Sequence, residues 1–469
     1  MRATALAGGT GAAKFLRGLA SCTNPRDLTV IGNTADDADI WGLHVSPDLD
    51  TLTYALTGRL DLRRGWGLAE DSFNALAAMA ALGGEAWFRL GDRDLATHIY
   101  RTRALQAGRS LSEVTAAIGR ALGLGVSLLP MSDDPVRTRI QTPDGWLAFQ
   151  HYFVRDGARP PVIGIEYAGA GTAAPAPGVL DAIRTADVVI VCEGIGLGSS
   201  LLEKTVIDGK PLRRKLRANE VAMAVKEIMQ LDSGLIEERF NCEAGEGCTI
   251  ECFGDSTMGM SGFMFIYTNN DTLSVGGGAL LSEFNATLRS PNDLMEHFKN
   301  HAAVKPLLRG AETVEYLAHL IPEGGYRGIP DVYGPGYLVC GDAAMLSNPV
   351  HREGSNLAMV SGRMAGETVI HAKEIGDFSE RRLREYRGKL DNSWVMADMK
   401  KYDGAVRLLE HNPQMLIKYP QVADRALDEF FRVDGQSKWQ KQSNILGMVR
   451  REGMFRMGWD TFKALWTMK

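Results

Sequence analysis

The sequence predicts an α/β protein with a parallel sheet in its N-terminal segment, joined to an α+β segment. Two observations indicate this: short apolar runs that end in glycine-rich or acidic turns, and a change of composition near Val191. Residues 1–191 contain 17 Arg and one Lys, whereas residues 192–469 contain 19 Arg and 15 Lys. Folding does not require this change, because both side chains stay charged and solvated. We therefore expect two domains of different origin, residues 1–191 and 192–469.

The overall composition is that of a soluble globular protein. A net charge of −5 argues against a nucleic-acid partner. The spacing of Cys242, Cys248 and Cys252 matches no common metal motif, so we expect reduced thiols. Met1–Leu6 leads directly into a strand-like run, and no apolar run reaches the roughly 20 residues that span a bilayer. We expect a cytoplasmic protein.

The first apolar run, Ala3–Ala7, is followed by Gly8-Gly9-Thr10-Gly11 and a helical pattern. A strand, a glycine turn and a helix in this order point backbone N–H groups at a phosphate. The turn is neither a Walker loop nor a full dinucleotide fingerprint, because Lys14 stands where the third Gly would be. A phosphate cradle and a bare glycine turn both remain open.

Acidic residues follow the second predicted strand, Leu28–Ile31. Asn33 begins a run that includes Asp36 and Asp37, and Asp48 and Asp50 come soon after. Carboxylates beyond the ends of parallel strands can hold magnesium beside a substrate phosphate. Solvated acidic loops are the alternative.

A third cluster lies on one predicted helix. Asp94, His98 and Arg101 are spaced i, i+4 and i+7, so one helical face presents all three. An Arg and a His on one face suit an anionic substrate, and a surface ion-pair ladder is the alternative. A further acidic turn, Met131–Pro135, follows an apolar strand at Val126–Leu129.

These motifs together resemble the 2-phospho-L-lactate transferase (CofD) family. The matching segments, in order, are Gly-Gly-Thr-Gly, Ser-Pro-Asp-Leu-Asp-Thr, Gly-Asp-Arg-Asp-x-Ala-Thr-His and Met-Ser-Asp-Asp-Pro-Val. The resemblance implies a Rossmann-like sheet and magnesium-dependent transfer of a phospholactyl or phosphoenolpyruvyl group. The donor is a guanosine-diphospho compound and the acceptor is the deazaflavin FO. Such transfer depends on positioning and charge neutralisation.

The same resemblance implies site residues. Asp50 and Arg89 would contact FO, and Asp48 or Asp50 would help hold the metal and act in catalysis. The remaining substrate-binding candidates are Gly8, Gly9, Thr10 and Gly11 for the donor phosphates, together with Asn33, Asp92 and His98. The chain departs from the family after the strand at Ala186–Val191, where Cys192–Gly196 replaces a Gly-Pro-Ser-Asn-Pro loop. We expect much of the donor side of the site to be missing.

The second segment contains a different glycine turn and a longer motif. Glu193–Gly198 imitates a dinucleotide fingerprint, but Ser199 replaces its last Gly. Phe263–Tyr267 and Thr272–Val275 predict a hairpin. Gly336–Ala344 predicts an apolar strand that ends in Gly341-Asp342, followed by a helix over Ser355–His371. An ordinary strand–loop–helix is the alternative to a binding motif.

This segment, from about residue 187 onward, resembles FixC-type electron-transfer-flavoprotein:quinone oxidoreductases. The matching residues include Phe-Asn-Cys at 240–242, His-Leu-Ile-Pro-Glu-Gly-Gly at 319–325, Val-Cys-Gly-Asp-Ala-Ala at 339–344 and Lys-Tyr-Pro at 418–420. The resemblance implies FAD, with Gly341 and Asp342 at the ribityl chain and Gly354, Ser355 and Asn356 at the ring end. It implies electron-transfer flavoprotein and a ferredoxin-like protein or quinone as partners. The family's opening Gly-x-Gly-x-x-Gly unit has no counterpart here, so the flavoprotein-like fold lacks its own N-terminal FAD unit.

Three interpretations follow. We prefer a hybrid in which neither parental activity is complete and the junction lies in a strand buried in both families. The alternatives are a FixC-like oxidoreductase with a substituted N-terminal domain, and an FO-binding transferase with an appended module. The basic tail, residues 436–469, contains Trp439, Trp459 and Trp466. We expect it to pack against the rest of its segment, and the alternative is peripheral contact with the inner face of the cell membrane.

Overall fold

A computed structural model describes most of the chain, and it divides into two compact units, Met1–Glu193 and Gly194–Lys469. The described residues are 1–62, 64–192, 194, 201–207, 209–348, 350, 353–405, 408 and 411–467. Within them, no helix has the length and apolar character needed to cross a membrane.

The first unit is built on a four-stranded parallel sheet. Its strand order is β5-β2-β1-β9, which confirms the predicted parallel sheet. A three-stranded antiparallel sheet of order β7-β6-β8 and a β3-β4 hairpin complete the unit. The strands are β1 (Ala3–Ala7), β2 (Leu28–Gly32), β3 (Ala38–Ile40), β4 (Leu43–Val45), β5 (Ser127–Pro130), β6 (Arg137–Thr142), β7 (Gly145–Ala148), β8 (Gly164–Ala168) and β9 (Val188–Val191).

Helices cover the parallel sheet and bring the candidate residues to its carboxyl edge. Leu16 of the first helix, Leu52 of the second and Leu111 of the fifth pack with the apolar side chains of β1 and β2. The helices are α1 (Thr10–Cys22), α2 (Pro47–Leu56), α3 (Asn74–Ala81), α4 (Asp92–Gln106), α5 (Leu111–Leu122) and α6 (Val179–Thr185). The glycine turn and α2 therefore meet where β1 and β2 end.

The predicted junction strand is not buried on both faces. β9 pairs with β1 and forms an edge of the sheet. Val188 and Ile190 pack on the core, whereas Val189 and Val191 are 40% and 38% exposed. The expectation of a strand buried on both faces is therefore wrong. An apolar run of four residues fits a half-exposed edge strand equally well.

The second unit contains a five-stranded antiparallel sheet of order β13-β14-β15-β12-β16. The predicted hairpin is confirmed as β14 and β15, which extend further than the sequence indicated. Gly276 and Gly278 let β15 lie close to its neighbouring strand β12. A Cβ on Gly278 would lie only 2.2 Å from the Met223 carbonyl oxygen. The strands are β10 (Val206–Ile207), β11 (Lys210–Pro211), β12 (Val221–Gln230), β13 (Thr249–Cys252), β14 (Gly262–Thr268), β15 (Thr272–Leu280), β16 (Glu312–Pro322), β17 (Tyr333–Gly334) and β18 (Tyr337–Leu338).

Helices of the second unit form two groups, one against the five-stranded sheet and one around β17 and β18. They are α7 (Leu201–Lys204), α8 (Ser233–Phe240), α9 (Leu281–Thr287), α10 (Pro291–Asn300), α11 (Gly325–Gly328), α12 (Ser355–Ile375), α13 (Glu380–Asp391), α14 (Trp394–Lys401), α15 (Lys418–Phe431), α16 (Lys438–Arg451) and α17 (Met454–Thr467). The predicted helix after Gly354 is confirmed as α12.

The tail is held to its own unit by polar contacts, whereas its three tryptophans face outward. Trp439, Trp459 and Trp466 are 75%, 60% and 69% exposed. Polar side chains are buried instead: Lys441 of α16 pairs with Asp434 at 2.9 Å. Helical periodicity alone predicted which residues share a face, but not that the aromatic face would point outward.

Candidate functional site

The glycine turn lies directly against the side chain of Asp48. Gly8 and Gly9 join β1 to α1, and Thr10 and Gly11 are the first residues of that helix. A Cβ placed on Gly9 would lie 2.6 Å from Oδ1 of Asp48. A Cβ at position 9 would force the Asp48 carboxylate to move away, so the observed approach depends on a glycine there.

Asp48 belongs to a group of polar residues at the ends of β1 and β2. The Asn33 amide nitrogen donates to Oδ2 of Asp48 at 2.8 Å and to Oδ2 of Asp36 at 3.3 Å. Thr138 of β6 donates to Oδ1 of Asp36 at 2.9 Å. Burial and the neighbouring Asp36 carboxylate raise the pKa of Asp48 to about 7, against the lowering effect of Asn33. Burial likewise raises the pKa of Asp36.

This donor set fits a magnesium ion held together with a phosphate. Two carboxylates share one amide, and an added cation would offset their mutual repulsion. Magnesium commonly takes one or two protein carboxylates and completes its shell with water and substrate phosphate. Across the described ranges, no group of three or more His, Cys, Asp or Glu side chains is arranged to hold a metal.

Asp50 faces a different neighbour, although it lies only two residues from Asp48 on α2. Both of its carboxylate oxygens accept hydrogen bonds from Arg101 of α4, one of them at 3.0 Å. Arg101 is 1% exposed, and Asp50 is also buried. The pKa of Arg101 is raised by Asp50 against the opposing effect of burial. Asp50 therefore holds α2 to α4.

The predicted face of α4 is confirmed, but it points inward. His98 Nδ1 lies 3.7 Å from Asp50 Oδ2, and His98 Nε2 lies 3.4 Å from Asp94 Oδ1. The Tyr54 hydroxyl donates to Asp94 at 2.6 Å. A surface ion-pair ladder is therefore wrong, because the network is buried between two helices. The interpretation as an anionic-substrate site stays a prediction.

Asp92 and Arg89 contact the start of α3 and the residues just before it. Asp92 accepts hydrogen bonds from the Ser72 hydroxyl at 2.6 Å and from the backbone N–H groups of Asn74 and Ala75. These bonds lower its pKa to about 2. Arg89 is exposed, and its guanidinium lies 5.1 Å from the Phe73 ring centroid. The candidates thus form three groups: Gly8–Gly9 with Asn33 and Asp48, Asp50 with His98, and Arg89 with Asp92.

Sequence reasoning did not single out Asp36, Tyr54 or Thr138 as site residues. The acidic run after β2 contained the signal for Asp36, although it could not distinguish Asp36 from Asp37. Asp37 instead accepts hydrogen bonds from His44 and Ser46. Nothing in the sequence marks Thr138, because its contact joins residues 102 positions apart.

In the second unit, Gly341, Asp342 and Gly354 come together. Asp342 lies in a single 3₁₀ turn, Gly341–Ala344, rather than at the tip of a strand, since β18 ends at Leu338. A Cβ on Gly354 would lie 3.6 Å from Oδ1 of Asp342. The Gly341 N–H donates to the Ser361 hydroxyl of α12 at 3.1 Å.

The start of α12 has no side-chain cap from its N-terminal residue. Gly354 precedes the first helical residue, Ser355. Asn356 donates to Glu353 at 2.9 Å and accepts from the Leu357 N–H at 3.0 Å. The positive end of the helix dipole suits a ligand with hydrogen-bond acceptors, so these residues fit the pyrimidine edge of a flavin. The fingerprint-like segment lies largely outside the described residues.

Comparisons with known proteins divide the chain in the same way. Residues 3–230 match the family model for the 2-phospho-L-lactate transferase CofD, and residues 405–469 match the ETF-QO/FixC family C-terminal domain. The CofD match continues into the second unit, whereas the boundary predicted from composition is residue 191.

Two groups of curated relatives are similar to this chain. Protein FixC of Azorhizobium caulinodans is 42% identical over 283 residues, which cover 59% of this chain and 63% of the relative. A phosphoenolpyruvate transferase of Kitasatospora aureofaciens is 50% identical over 196 residues, which cover 40% of this chain and 61% of the relative. The chain thus spans about three fifths of the curated relatives it matches.

Solved structures show weaker similarity. A geranylgeranyl bacteriochlorophyll reductase-like protein from Thermoplasma acidophilum is 15% identical, with a TM-score of 0.42 and coverage of 97% of this chain and 96% of the other. A UPF0052 protein from Bacillus halodurans is 18% identical, with a TM-score of 0.28 and coverage of 40% and 58%.

The chain is a two-part α/β protein. Its parts are a CofD-like transferase segment and a FixC/ETF-QO-like segment.

The buried pair of Asp50 and Arg101 yields a stability prediction. Arg101→Met leaves a carboxylate buried without its cation, so we expect the free energy of unfolding to fall by about 3–5 kcal/mol. Urea denaturation of the full chain measures it. The matched control is Arg103→Met, two residues along the same helix but exposed, with an expected change within about 0.5 kcal/mol. Equal effects of the two substitutions would contradict a structural role for the pair.

Proposed function

We propose that the chain is a hybrid in which neither parental activity is complete. Its front is a phospholactyl or phosphoenolpyruvyl transferase segment of deazaflavin coenzyme biosynthesis. Its back is a segment of an FAD-dependent electron-transfer-flavoprotein:quinone oxidoreductase. The observation that carries this proposal is the coverage. The transferase relative matches 40% of this chain and the FixC relative 59%, and the chain spans only 61% and 63% of those two proteins. We place the junction near residues 191–193.

We further propose that the front segment retains a magnesium–phosphate half-site, with Asp48 as the metal ligand and Gly8–Gly11 at the donor phosphates. Asp48 is favoured over Asp50 because both Asp50 oxygens are engaged by Arg101. A carboxylate beside the glycine N–H groups would repel a phosphate, so the two need a bridging cation. When bound, magnesium would neutralise charge on the transferred phosphoryl group.

The other front residues have supporting roles in this proposal. Asn33 orients Asp48, and Asp50 positions α4 through Arg101. Arg89 is exposed and available to an FO acceptor, while Asp92 holds the preceding loop in place. The guanosine-diphospho donor would meet only one side of its pocket. Half a site contributes little catalysis, because transition-state stabilisation needs all groups fixed together.

Metal binding tests the half-site without an activity assay. We expect Mn²⁺, used as a paramagnetic substitute for magnesium, to bind together with pyrophosphate. Asp48→Asn should weaken this binding at least about tenfold, because a direct ligand is lost. Electron paramagnetic resonance of free Mn²⁺ measures the affinity.

Asp50→Asn is the matched control, since it removes a carboxylate from the same helix. We expect it to lower stability while Mn²⁺ affinity is retained. Stronger dependence on Asp50 than on Asp48 would reverse the proposed roles. In the same preparation, release of GMP from a guanosine-diphospho donor in the presence of FO would show that the transferase is complete, and the hybrid proposal would fail.

The second candidate function is a FixC-like oxidoreductase whose ADP-binding unit is replaced by the front segment. The grouping of Gly341, Asp342 and Gly354 at the start of α12 favours it. Asp342 would hold the ribityl chain, and the Gly354–Asn356 segment would hold the ring end. Electron-transfer flavoprotein and a ferredoxin-like protein or quinone would be its partners. FAD, when bound, would supply the electron-transfer chemistry.

Comparison of two flavins separates the candidates. A hybrid that keeps only the ring end should bind riboflavin and FAD with affinities within about tenfold, because the ADP part makes no contacts. Quenching of flavin fluorescence measures both affinities. Asp342→Asn should weaken both, and the exposed Asp331→Asn serves as the control. Much tighter binding of FAD would favour the oxidoreductase, whereas flavin binding unaffected by Asp342→Asn would exclude this site.

We also propose peripheral contact between the tail and an anionic membrane surface. On α17, Phe455, Trp459, Phe462 and Trp466 form an exposed face, and the Trp459–Phe462 and Phe462–Trp466 ring centroids are 5.6 and 6.0 Å apart. The opposite face buries Asp460, which accepts a hydrogen bond from Tyr419 at 2.6 Å. Lys438–Thr467 contains six basic and two acidic side chains in a chain of net charge −5, which favours an anionic lipid surface.

Vesicle co-sedimentation tests this contact. We expect binding to vesicles that contain phosphatidylglycerol and about tenfold weaker binding for Trp459→Ala/Trp466→Ala, because interfacial aromatic anchors are lost. Arg450→Ala/Arg451→Ala should also weaken binding, whereas Arg289→Ala/Arg309→Ala, which removes the same charge from exposed positions elsewhere, should not. If the tryptophan variant changes only the oligomeric state in size-exclusion chromatography, the face joins two copies of the chain and the membrane proposal is wrong.

A further inference from the structure

Four arginines line one groove of the second unit, away from Asp342. Arg381, Arg382, Arg384 and Arg387 lie on α13, and Tyr333 of β17 also lines the groove. Its volume is about 610 Å³. This volume lies within the usual size range of small-ligand sites, roughly 300–1,000 Å³.

The arginine face is held in place from behind. Leu383, Tyr386 and Leu390 of α13 are buried in the core. The Tyr386 hydroxyl donates to the Val339 carbonyl at 2.9 Å. Because the inner face of α13 is fixed, the backbone that carries the four arginines is fixed too.

The acidic neighbours do not neutralise this groove. Arg387 pairs with Asp391 at 2.9 Å, and Glu385 is engaged by His371 at 2.7 Å and Lys389 at 3.2 Å. Within the part of the chain that the structure describes, Arg381, Arg382 and Arg384 have no carboxylate within 4.0 Å. Glu385 and Asp391 themselves line the groove, and the half-buried Asp377 lies close enough to Arg381 and Arg382 to interact electrostatically.

One donor in the groove lacks an acceptor. The Nε atom of Arg382 is buried and has no hydrogen-bond partner among the described residues. An arginine on an open surface would satisfy this nitrogen with water, and buried donors are nearly always paired in native proteins. Like charges three residues apart on a helix also repel each other, and an anion would remove that repulsion.

We propose that this groove binds a small anion that carries phosphoryl groups, such as a diphosphate or a nucleoside diphosphate. Guanidinium groups bind phosphate through two parallel hydrogen bonds, and several arginines favour more than one phosphoryl group. The site is independent of the transferase and flavin sites proposed above.

Isothermal titration of the full chain with inorganic pyrophosphate tests this site. The buffer contains a chelator and no magnesium, so that the glycine-turn site does not contribute. We expect binding that weakens as ionic strength rises. Arg381→Ala/Arg384→Ala should reduce the affinity at least about tenfold, and alanine preserves the helix. Circular dichroism checks that the variant is folded.

The matched control is Arg425→Ala/Arg432→Ala, which removes two exposed arginines elsewhere in the same unit. It should leave pyrophosphate affinity within about twofold of the original chain. Absence of binding, or equal loss in both double variants, would overturn the proposal. ADP is titrated in parallel to identify the source of the phosphoryl groups. Tighter binding of ADP that is lost in Tyr333→Leu supports a nucleotide, and equal affinities support the diphosphate alone.

Discussion

The close approach of Asp48 to Gly9 is the constraint on which the front site depends. A carboxylate can lie against a glycine turn only where the turn has no Cβ and the helix that carries the acid begins at the same sheet edge. Parallel pairing of β1 with β2 brings both to that edge. The turn, Asn33 and Asp48 therefore form one unit at that edge.

Two carboxylates on one helix have different partners because their side chains point in different directions. Asp48 and Asp50 are two residues apart on α2, so their side chains point to different sides. Asp48 lies against the glycine turn and near a second acid, the Asp36 carboxylate, whereas Asp50 accepts hydrogen bonds from Arg101 and is paired with its guanidinium. This division explains how a short acidic motif can serve both a ligand and the fold.

Local patterns were sufficient to predict much of the fold. The strands at Ala3–Ala7 and Val188–Val191, the hairpin and α12 all follow from apolar runs bounded by turn residues. The direction of a face was not predictable, because it depends on packing between distant elements. The i, i+4, i+7 pattern placed Asp94, His98 and Arg101 together but gave no sign that Asp50 would close the network. Likewise, the pattern could not show that the tail aromatics face outward.

The junction strand shows why two parental sequences can meet without destroying the first sheet. β9 needs only to pair with β1 and to present Val188 and Ile190 to the core, and any short apolar strand meets both demands. Val189 and Val191 are exposed apolar side chains on this edge strand. Edge strands usually carry charges or prolines instead, which prevent pairing with other chains. Apolar side chains on an edge are typical of a face suited to burial. The sheet can therefore accommodate the proposed junction, and Val189 and Val191 are the apolar side chains that β9 leaves exposed.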